Sequence, residues 1–186
     1  MRTSLPGLAA LVVVSVGLLA TAPAFAAPLQ EPDFTPMPKA YVGLGADAGL
    51  DSWLRLGFTA EGGVRIAETP IYVRGLVASG ELADLFRSGT YAEYRAGAEA
   101  RASFRRGTLS AFAGVDLGLE RDHWREGSDS GTGLMHDDRM TLIAPRLGAE
   151  VGKQVRFRAA IEAPIHHRSA KDGVGLGMTY SLVYAF

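Results

Sequence analysis

The chain has 186 residues, enough for one domain and a leader, and its net charge of −1, with no basic stripe, excludes the electrostatic footprint of a nucleic-acid-binding protein. Cysteine is absent, so the fold has no disulfides and no cysteine for a lipid anchor. All of the 19 basic residues except Lys39, Lys153 and Lys171 are arginines, and arginine suits enclosed ion pairs better than lysine does.

Residues 1–26 have the pattern of a secretory signal peptide. Arg2 supplies the charged start, 8–20 the apolar region, and Ala24-Phe25-Ala26 a small-x-small cleavage site. The alternative is a membrane anchor, but this apolar run is shorter than the roughly 20 residues that a spanning helix needs. The sequence therefore predicts cleavage after Ala26, an extended proline-rich linker at 27–38, and a single barrel domain at 39–186.

Alternation of large apolar with small or polar residues begins after the linker and recurs to the last residue. A period of two is typical of strands, and it predicts eight of them, at 42–50, 54–66, 71–78, 93–104, 109–120, 143–151, 155–163 and 173–186. Pro145 cannot donate a ladder hydrogen bond, so the sixth strand is expected to contain a bulge or a local break in pairing. Helical apolar faces are absent beyond the leader.

The predicted connections differ in length in a regular way. Those after strands two, four and six are short, whereas those after three, five and seven are longer, and the longest runs from Asp122 to Asp138. Short turns on one side and longer loops on the other are typical of transmembrane barrels. The predicted fold is therefore an all-β, eight-stranded, antiparallel up-and-down transmembrane barrel.

The charged residues of the strands share one parity, opposite the apolar one. If this parity faces inward, its acids and bases can pair and its glycines make room for long arginines, filling an eight-stranded interior instead of leaving a pore. The alternative is a soluble lipocalin-like barrel or a secreted sandwich with a solvated charged face. The predicted interior charge network comprises Arg55, Glu61, Arg65, Arg74, Glu93, Arg95, Glu99, Arg101, Asp116, Glu120, Arg146, Glu150, Arg156, Arg158 and Glu162.

The last strand ends on an alternation whose apolar members are Met178, Tyr180, Leu182, Tyr184 and Phe186. With the strand number, the loop asymmetry and the leader, this ending resembles the small eight-stranded outer-membrane barrels of Gram-negative bacteria, the OmpX- and OmpA-like group, over 39–186. The resemblance implies that these five residues are similar to the signal read by the outer-membrane insertion machinery. It is architectural and implies no particular activity.

A second hypothesis makes the barrel a hydrolase. The four histidines, His123, His136, His166 and His167, fall in the predicted third and fourth long loops. His167 and Ser169 have the His-x-Ser spacing of barrel enzymes that deacylate lipid A, which resemble this chain in fold. Those enzymes place the orienting acid on the last strand, whereas here the nearby acid is Asp172. Because a nucleophilic serine needs both base and acid, the alternative catalytic set is His167, Ser169 and Asp172.

The predicted third loop is rich in acidic residues. Glu126, Asp129, Asp137 and Asp138 could collect a calcium ion, although their spacing fits no defined ligand loop and a solvated acidic loop is the simpler interpretation. His123 with His136 is a weaker candidate for a transition-metal pair. Trp124 is expected at the membrane interface, where its amphipathic ring is favoured.

The function that the sequence favours is structural or surface-binding, in a monomeric barrel of the bacterial outer membrane. We expect no cofactor, metal, nucleic acid or catalysis. The expected partners are outer-membrane lipids and lipopolysaccharide, the insertion machinery, and an extracellular ligand at the loops. A narrow ion pore is the weakest alternative, since side chains fill an eight-stranded interior.

Overall fold

The computed structural model describes residues 37–50, 54–83, 87–104, 107–126, 134–167 and 172–186. The predicted signal peptide at 1–26 and nearly all of the linker lie outside these residues, so both remain predictions. The compact unit that holds the barrel extends over Pro32–Phe186. No helix in the described part of the chain is long and apolar enough to cross a membrane.

The described residues form one closed antiparallel sheet. Its first six strands are single segments, and its seventh and eighth are each divided in two. The segments are β1 Ala40–Leu50, β2 Leu54–Arg65, β3 Ile71–Ala83, β4 Arg87–Phe104, β5 Leu109–Glu126, β6 Leu134–Gly152, β7 Val155–Glu162, β8 Ile165–His167, β9 Asp172–Val174 and β10 Leu176–Ala185.

Neighbours in sequence are neighbours in the sheet, and pairing of β1 with β10 closes it. A row of register partners that starts at Arg121 on β5 and runs once around the barrel returns to β5 at Ala111, ten residues earlier. For eight strands, this offset corresponds to a strand tilt of about 40°. The row passes through Ala92, Ser79, Phe58, Ala46, Tyr180, Ala159 and Ala149 to Ala111.

Two prolines explain why strands seven and eight are interrupted. Pro145 accepts one hydrogen bond from Ala163 but has no N–H to return one, and Pro164 likewise accepts one from Gly175. The predicted break at Pro145 therefore affects only its β7 side, because the ladder to β5 continues through it. The register before and after the interruption is the same, so β8 and β9 continue β7 and β10.

The two faces of the wall differ sharply in exposure. Large apolar side chains point outward, with Phe58 80% and Leu44 72% exposed. Arginines and carboxylates point inward, and Arg158 and Glu93 are almost completely buried. The protein is therefore a barrel with an apolar exterior and a charged interior, the reverse of a soluble barrel.

We call the end that carries connections 66–70, 105–108 and 153–154 the turn end, and the end that carries 51–53, 84–86, 127–133 and 168–171 the loop end. The predicted third loop is wrong in its bounds, since β5 continues to Glu126 and β6 begins at Leu134. The connection after β3 is also shorter than predicted. Polar residues at the loop end belong to extended strands, where neither face is uniformly apolar and the period-2 signal is lost.

Candidate functional site

The most extensive polar feature is a network of ion pairs that runs along the barrel interior. It links seven arginines with seven carboxylates and reaches a histidine at the loop end. In order from the turn end, its members are Arg156, Glu150, Arg101, Glu99, Arg158, Glu61, Arg74, Asp116, Arg146, Glu162, Arg95, Glu93, Arg55, Glu120 and His166.

Glu99 is the branching point of this network. It is 1% exposed and accepts hydrogen bonds from the Arg101 Nε at 2.8 Å, from Arg158, and from the Tyr41 hydroxyl at 3.2 Å. Arg74 lies 3.9 Å away and also donates to Glu61 at 2.9 Å. Three arginines from different strands therefore converge on one carboxylate, which ties β3, β4 and β7 together.

At the loop end, the network finishes on a buried histidine. Arg55 bridges Glu120 at 2.8 Å and Glu93 at 2.9 Å, and the His166 Nε2 lies 3.0 Å from the Glu120 carboxylate. His166 is 2% exposed, whereas the sequence-based prediction placed it in a solvated loop. Its parity could have revealed the error, because it is the same as that of Arg158 and Glu162.

Aromatic rings fill the space between the charged groups. The Arg101 guanidinium lies 4.1 Å from the ring centres of both Tyr41 and Tyr72, and that of Arg158 lies 3.8 Å from the ring of Phe112. Arg55 stacks in the same way on Tyr91 at 4.3 Å. Stacking on these rings stabilises enclosed guanidinium groups, and the sequence-based prediction did not assign the rings this role.

Inward glycines make room for rings as well as for arginines. A Cβ at Gly63 would lie 2.4 Å from the Tyr41 ring, and one at Gly148 would lie 2.4 Å from Phe112. The prediction assigned this room to arginines, and a Cβ at Gly118 would lie 3.0 Å from an Arg95 side-chain atom, so some inward glycines do make room for arginines. The packing therefore leaves little empty interior.

Four more residues differ from the predicted network: two of its members, which are weakly paired or lie outside it, and two interior acids that it did not include. Arg146 is 4% exposed but approaches Asp116 and Glu162 only at 3.7 and 3.8 Å. Arg65 lies outside the network and pairs at 3.7 Å with Glu68, whose side chain is 96% exposed. Asp47, bonded to the Tyr91 hydroxyl, and Asp122, 2% exposed, are interior acids that the sequence-based prediction missed.

A small cleft opens at the loop end beside the interrupted strands. Its lining includes Asp47, Arg55, Glu162, Pro164 and His166. Its cavity volume is about 20 Å³, well below the roughly 300 Å³ of a small drug-sized ligand site. The cleft is therefore a small opening to the network at the loop end.

The hydrolase hypothesis receives no support from the described residues. His167 lies on β8, not in a loop, and faces the exterior. Asp172 pairs with it across the ladder between β8 and β9, but the side chain of Asp172 and the whole of Ser169 lie outside the described residues. No catalytic constellation can be traced from His167 in this part of the chain.

The predictions for the third loop are corrected by the parity of the strands. Asp137 faces outward and Asp138 faces inward, where it accepts a hydrogen bond from the Trp124 Nε1 at 3.3 Å. His123 and His136 likewise lie on opposite faces. Neither pair can share a metal ion, and no group of three ligand-type side chains occurs within the described ranges. Asp129 and the side chain of Glu126 lie outside those ranges.

Trp124 does not face the membrane interface as predicted. Its ring points inward, stacks on His136 with ring centres 4.0 Å apart, and packs against a buried cluster that contains Leu76, Leu82 and Tyr91. The indole therefore closes the loop end of the interior. Its place in β5, on the parity of Glu120 and Asp122, is the signal that would have indicated this.

An exposed ion pair lies on the outer wall beyond the continuous apolar stretch of β5 and β6. Arg121 donates to both Asp137 carboxylate oxygens, at 2.8 and 2.6 Å. These hydrogen bonds lower the pKa of Asp137 to about 2 and raise the pKa of Arg121. The pair is therefore charged on both sides at any physiological pH.

The predicted C-terminal signal residues form an outward apolar row on β10. Leu182, Tyr184 and Phe186 are exposed, while Met178 and Tyr180 are half-buried. The Tyr184 and Phe186 rings lie 6.1 Å apart, and Gln154 donates to the Tyr184 hydroxyl at 2.6 Å. This cluster gives the turn end an aromatic rim of the kind found at membrane interfaces.

Solved structures of bacterial barrel proteins share this architecture. The N-terminal barrel of Pseudomonas aeruginosa OprF matches with a TM-score of 0.53 and 13% identity, over 80% of this chain and 99% of that one. The chain has the fold of the small eight-stranded outer-membrane barrels. Neisserial surface protein A matches with a TM-score of 0.54 and 12% identity, over 79% of this chain and 96% of that one.

A third structure with this fold is the attachment invasion locus protein Ail of Yersinia pestis. It matches with a TM-score of 0.52 and 11% identity, over 80% of this chain and 99% of that one. No protein-family model matches this small-barrel chain. No curated protein matches it either.

Proposed function

We propose that the protein is an outer-membrane barrel, exported by residues 1–26, with a structural or surface-binding role and a filled interior. The observation that carries this proposal is the pairing of an exposed apolar exterior with an enclosed, internally neutralised ion-pair network. A soluble barrel would gain nothing from exposing residues such as Phe58 and Leu44, because apolar surface of this extent is unfavourable in water.

The dimensions of the exterior support a membrane location. Each strand contributes about ten residues to the apolar stretch, and at a tilt of about 40° they cover about 25 Å along the barrel axis. This is the height of the apolar band in outer-membrane barrels. The aromatic rim at Tyr184 and Phe186 lies at one edge of the band, which is consistent with an orientation that places the turn end in the periplasm.

The filled interior supports a role other than conduction or catalysis. Arginines, carboxylates and rings occupy the barrel along the whole network, and the cleft at its loop end has a volume of only about 20 Å³. We infer that the network braces the wall, while any ligand binds at the loop end. Among the proteins with this fold, Ail has been crystallised with the heparin analogue sucrose octasulfate, and by analogy we propose that an external ligand binds the loops here.

A charged residue on the exterior tests the location directly. Leu44 lies midway along β1 and Leu50 at its loop end, both outward and more than half exposed. In a membrane barrel, Leu44→Arg should cost about 2–4 kcal/mol and Leu50→Arg about 0–1 kcal/mol, because the cost falls with distance from the bilayer midplane. Stability is measured by urea unfolding in phospholipid vesicles, after fractionation and heat-modifiable gel mobility have established where the protein folds.

Equal, small effects of the two substitutions, with recovery of the protein from the soluble periplasm, would contradict the proposal. Steady conductance in planar bilayers would contradict the filled interior and favour the pore. The C-terminal row of Met178, Tyr180, Leu182, Tyr184 and Phe186 is proposed as the insertion signal, and deletion of Phe186 with loss of outer-membrane assembly is its test.

A further inference from the structure

Two arginines lie directly opposite each other on the outer wall of the β5–β6 pair. Arg121 and Arg139 are register partners, and both side chains point outward. Like charges at such positions destabilise a sheet. Asp137 accepts hydrogen bonds from Arg121 at 2.6 and 2.8 Å, whereas none of the ion pairs between described residues includes Arg139. An anion between the two guanidinium groups would remove the repulsion.

Other basic side chains face outward on the same surface. His123 and Arg125 face outward further along β5, and His167 lies beside Thr141 on β8. Within the β5–β6 pair, Asp137 is the one outward acid among the described side chains, so Arg121 and Arg139 share a single carboxylate. We call Arg121, His123, Arg125 and Arg139 the basic wall.

The position of the basic wall determines what kind of anion can reach it. The continuous outward apolar stretch ends at Leu119 on β5 and at Ile143 on β6, and Arg121 is the next outward residue after Leu119; Met135, further along β6, is exposed but separate from this stretch. Two residues along a tilted strand rise about 5 Å. If the barrel crosses a membrane as proposed above, the Arg121 guanidinium lies within the headgroup layer, which extends about 5–7 Å beyond the hydrocarbon. Arg139 lies four residues beyond Ile143 and opposite Arg121, and its long side chain can reach back into that layer.

We infer that the basic wall binds a phosphate group of a membrane lipid headgroup, clamped between Arg121 and Arg139 on the outside of the barrel. Arginine's planar fork suits a phosphate oxygen pair, and the apolar surface below it, formed by Leu119 and Ile143, accommodates the acyl chains. This inference deepens the proposed membrane role, on which it rests, and identifies a lipid site separate from the interior and from the loops.

The test measures binding of lipid A with two phosphates, and of its dephosphorylated form, to the folded protein in neutral detergent micelles. The variants are Arg139→Gln and, as a charge-matched control, Lys153→Gln, which removes an exposed cation at the turn end. Arg139→Gln should weaken binding of the phosphorylated lipid about fivefold and leave binding of the dephosphorylated lipid unchanged. Lys153→Gln should bind both lipids as the unmodified protein does.

Three outcomes would overturn the inference. They are unchanged lipid affinity in Arg139→Gln, an equal loss in Lys153→Gln, and displacement of the lipid by inorganic phosphate at comparable concentration, which would indicate a site for free phosphate. Gel mobility before and after heating verifies that each variant is folded. Failure of the membrane role itself would appear instead in the Leu44→Arg and Leu50→Arg comparison, which does not involve the basic wall.

Discussion

Removal of the charge on Glu150 tests whether the interior is a bracing network shielded from water. Glu150 is 1% exposed and accepts hydrogen bonds from Arg156 at 2.6 Å and Arg101 at 3.1 Å. Glu150→Gln preserves the shape of the side chain but leaves Arg156 without the one carboxylate that pairs with it among the described residues. Arg101 retains its ion pair with Glu99.

The expected magnitude follows from these distances. At an effective dielectric constant of about 20, each contact attracts by about 5–6 kcal/mol before desolvation. Desolvation of the three groups offsets most of that energy, and loss of one partner of an enclosed pair costs about 3–5 kcal/mol. We expect Glu150→Gln to lower the free energy of unfolding by about 3 kcal/mol, because glutamine still accepts hydrogen bonds. The double variant Glu150→Gln with Arg156→Met should cost less than the sum of the two single changes.

The assay is urea unfolding in vesicles, followed by the fluorescence of the two tryptophans, Trp53 and Trp124. Lys153→Gln is the control, since it removes an exposed cation in the turn that follows Glu150. A cost of about 1 kcal/mol or less for Glu150→Gln would equal that of a solvated surface pair. That result, or additive single changes, would refute an enclosed network and favour a water-filled pore.

Two further predictions concern the closing seam and the outer wall. A Cβ at Gly45 would lie 1.9 Å from the Tyr180 carbonyl oxygen, so Gly45→Ala should abolish the heat-modifiable folded form. Gly173→Ala is the control and should fold, because no atom lies within 4 Å of a Cβ there. Equal folding yields of the two variants would contradict close pairing of β1 with β10. NMR titration should give Asp137 a pKa of about 2, and Arg121→Gln should raise it toward its ordinary value near 3.9. Because this pKa is lowered, the stabilising effect of the pair is complete above about pH 4 and is lost as the pH falls through about 2. A pKa that Arg121→Gln leaves unchanged would refute this assignment.

The interior replaces a hydrophobic core with compensated charge. Arginines such as Arg101 and Arg158 meet rings on their faces and carboxylates at their edges, so each guanidinium group is solvated by protein. Isolated buried charges are costly, and in the proposed membrane location lipid outside the wall would remove the alternative of facing water. The preference for arginine over lysine in the sequence follows from this, because only a planar group can use both kinds of partner.

Alternation within a single strand determined much of the fold without any tertiary information. Successive side chains of a strand point to opposite faces, so Glu93, Arg95 and Glu99 had to share one face and Tyr94 the other. The period-2 alternation is lost at the loop end, where β5 and β6 continue beyond their outward apolar stretch. Between Glu120 and Met140 both faces carry mostly polar residues, and the prediction placed Trp124 and His136 in a loop although they continue the strands.

Only the tertiary structure decided which charges meet. Glu99 and Arg158, or Arg55 and Glu120, are far apart in sequence and become partners through a register that depends on the closure of eight strands with an offset of ten residues. Alternation places each of them inside but leaves that offset open, since a shift of two residues preserves every facing. The identity of the pairs, the inward turn of His166 and the opposition of Arg121 to Arg139 are therefore properties of the closed barrel, whereas the charged interior itself is a property of the sequence.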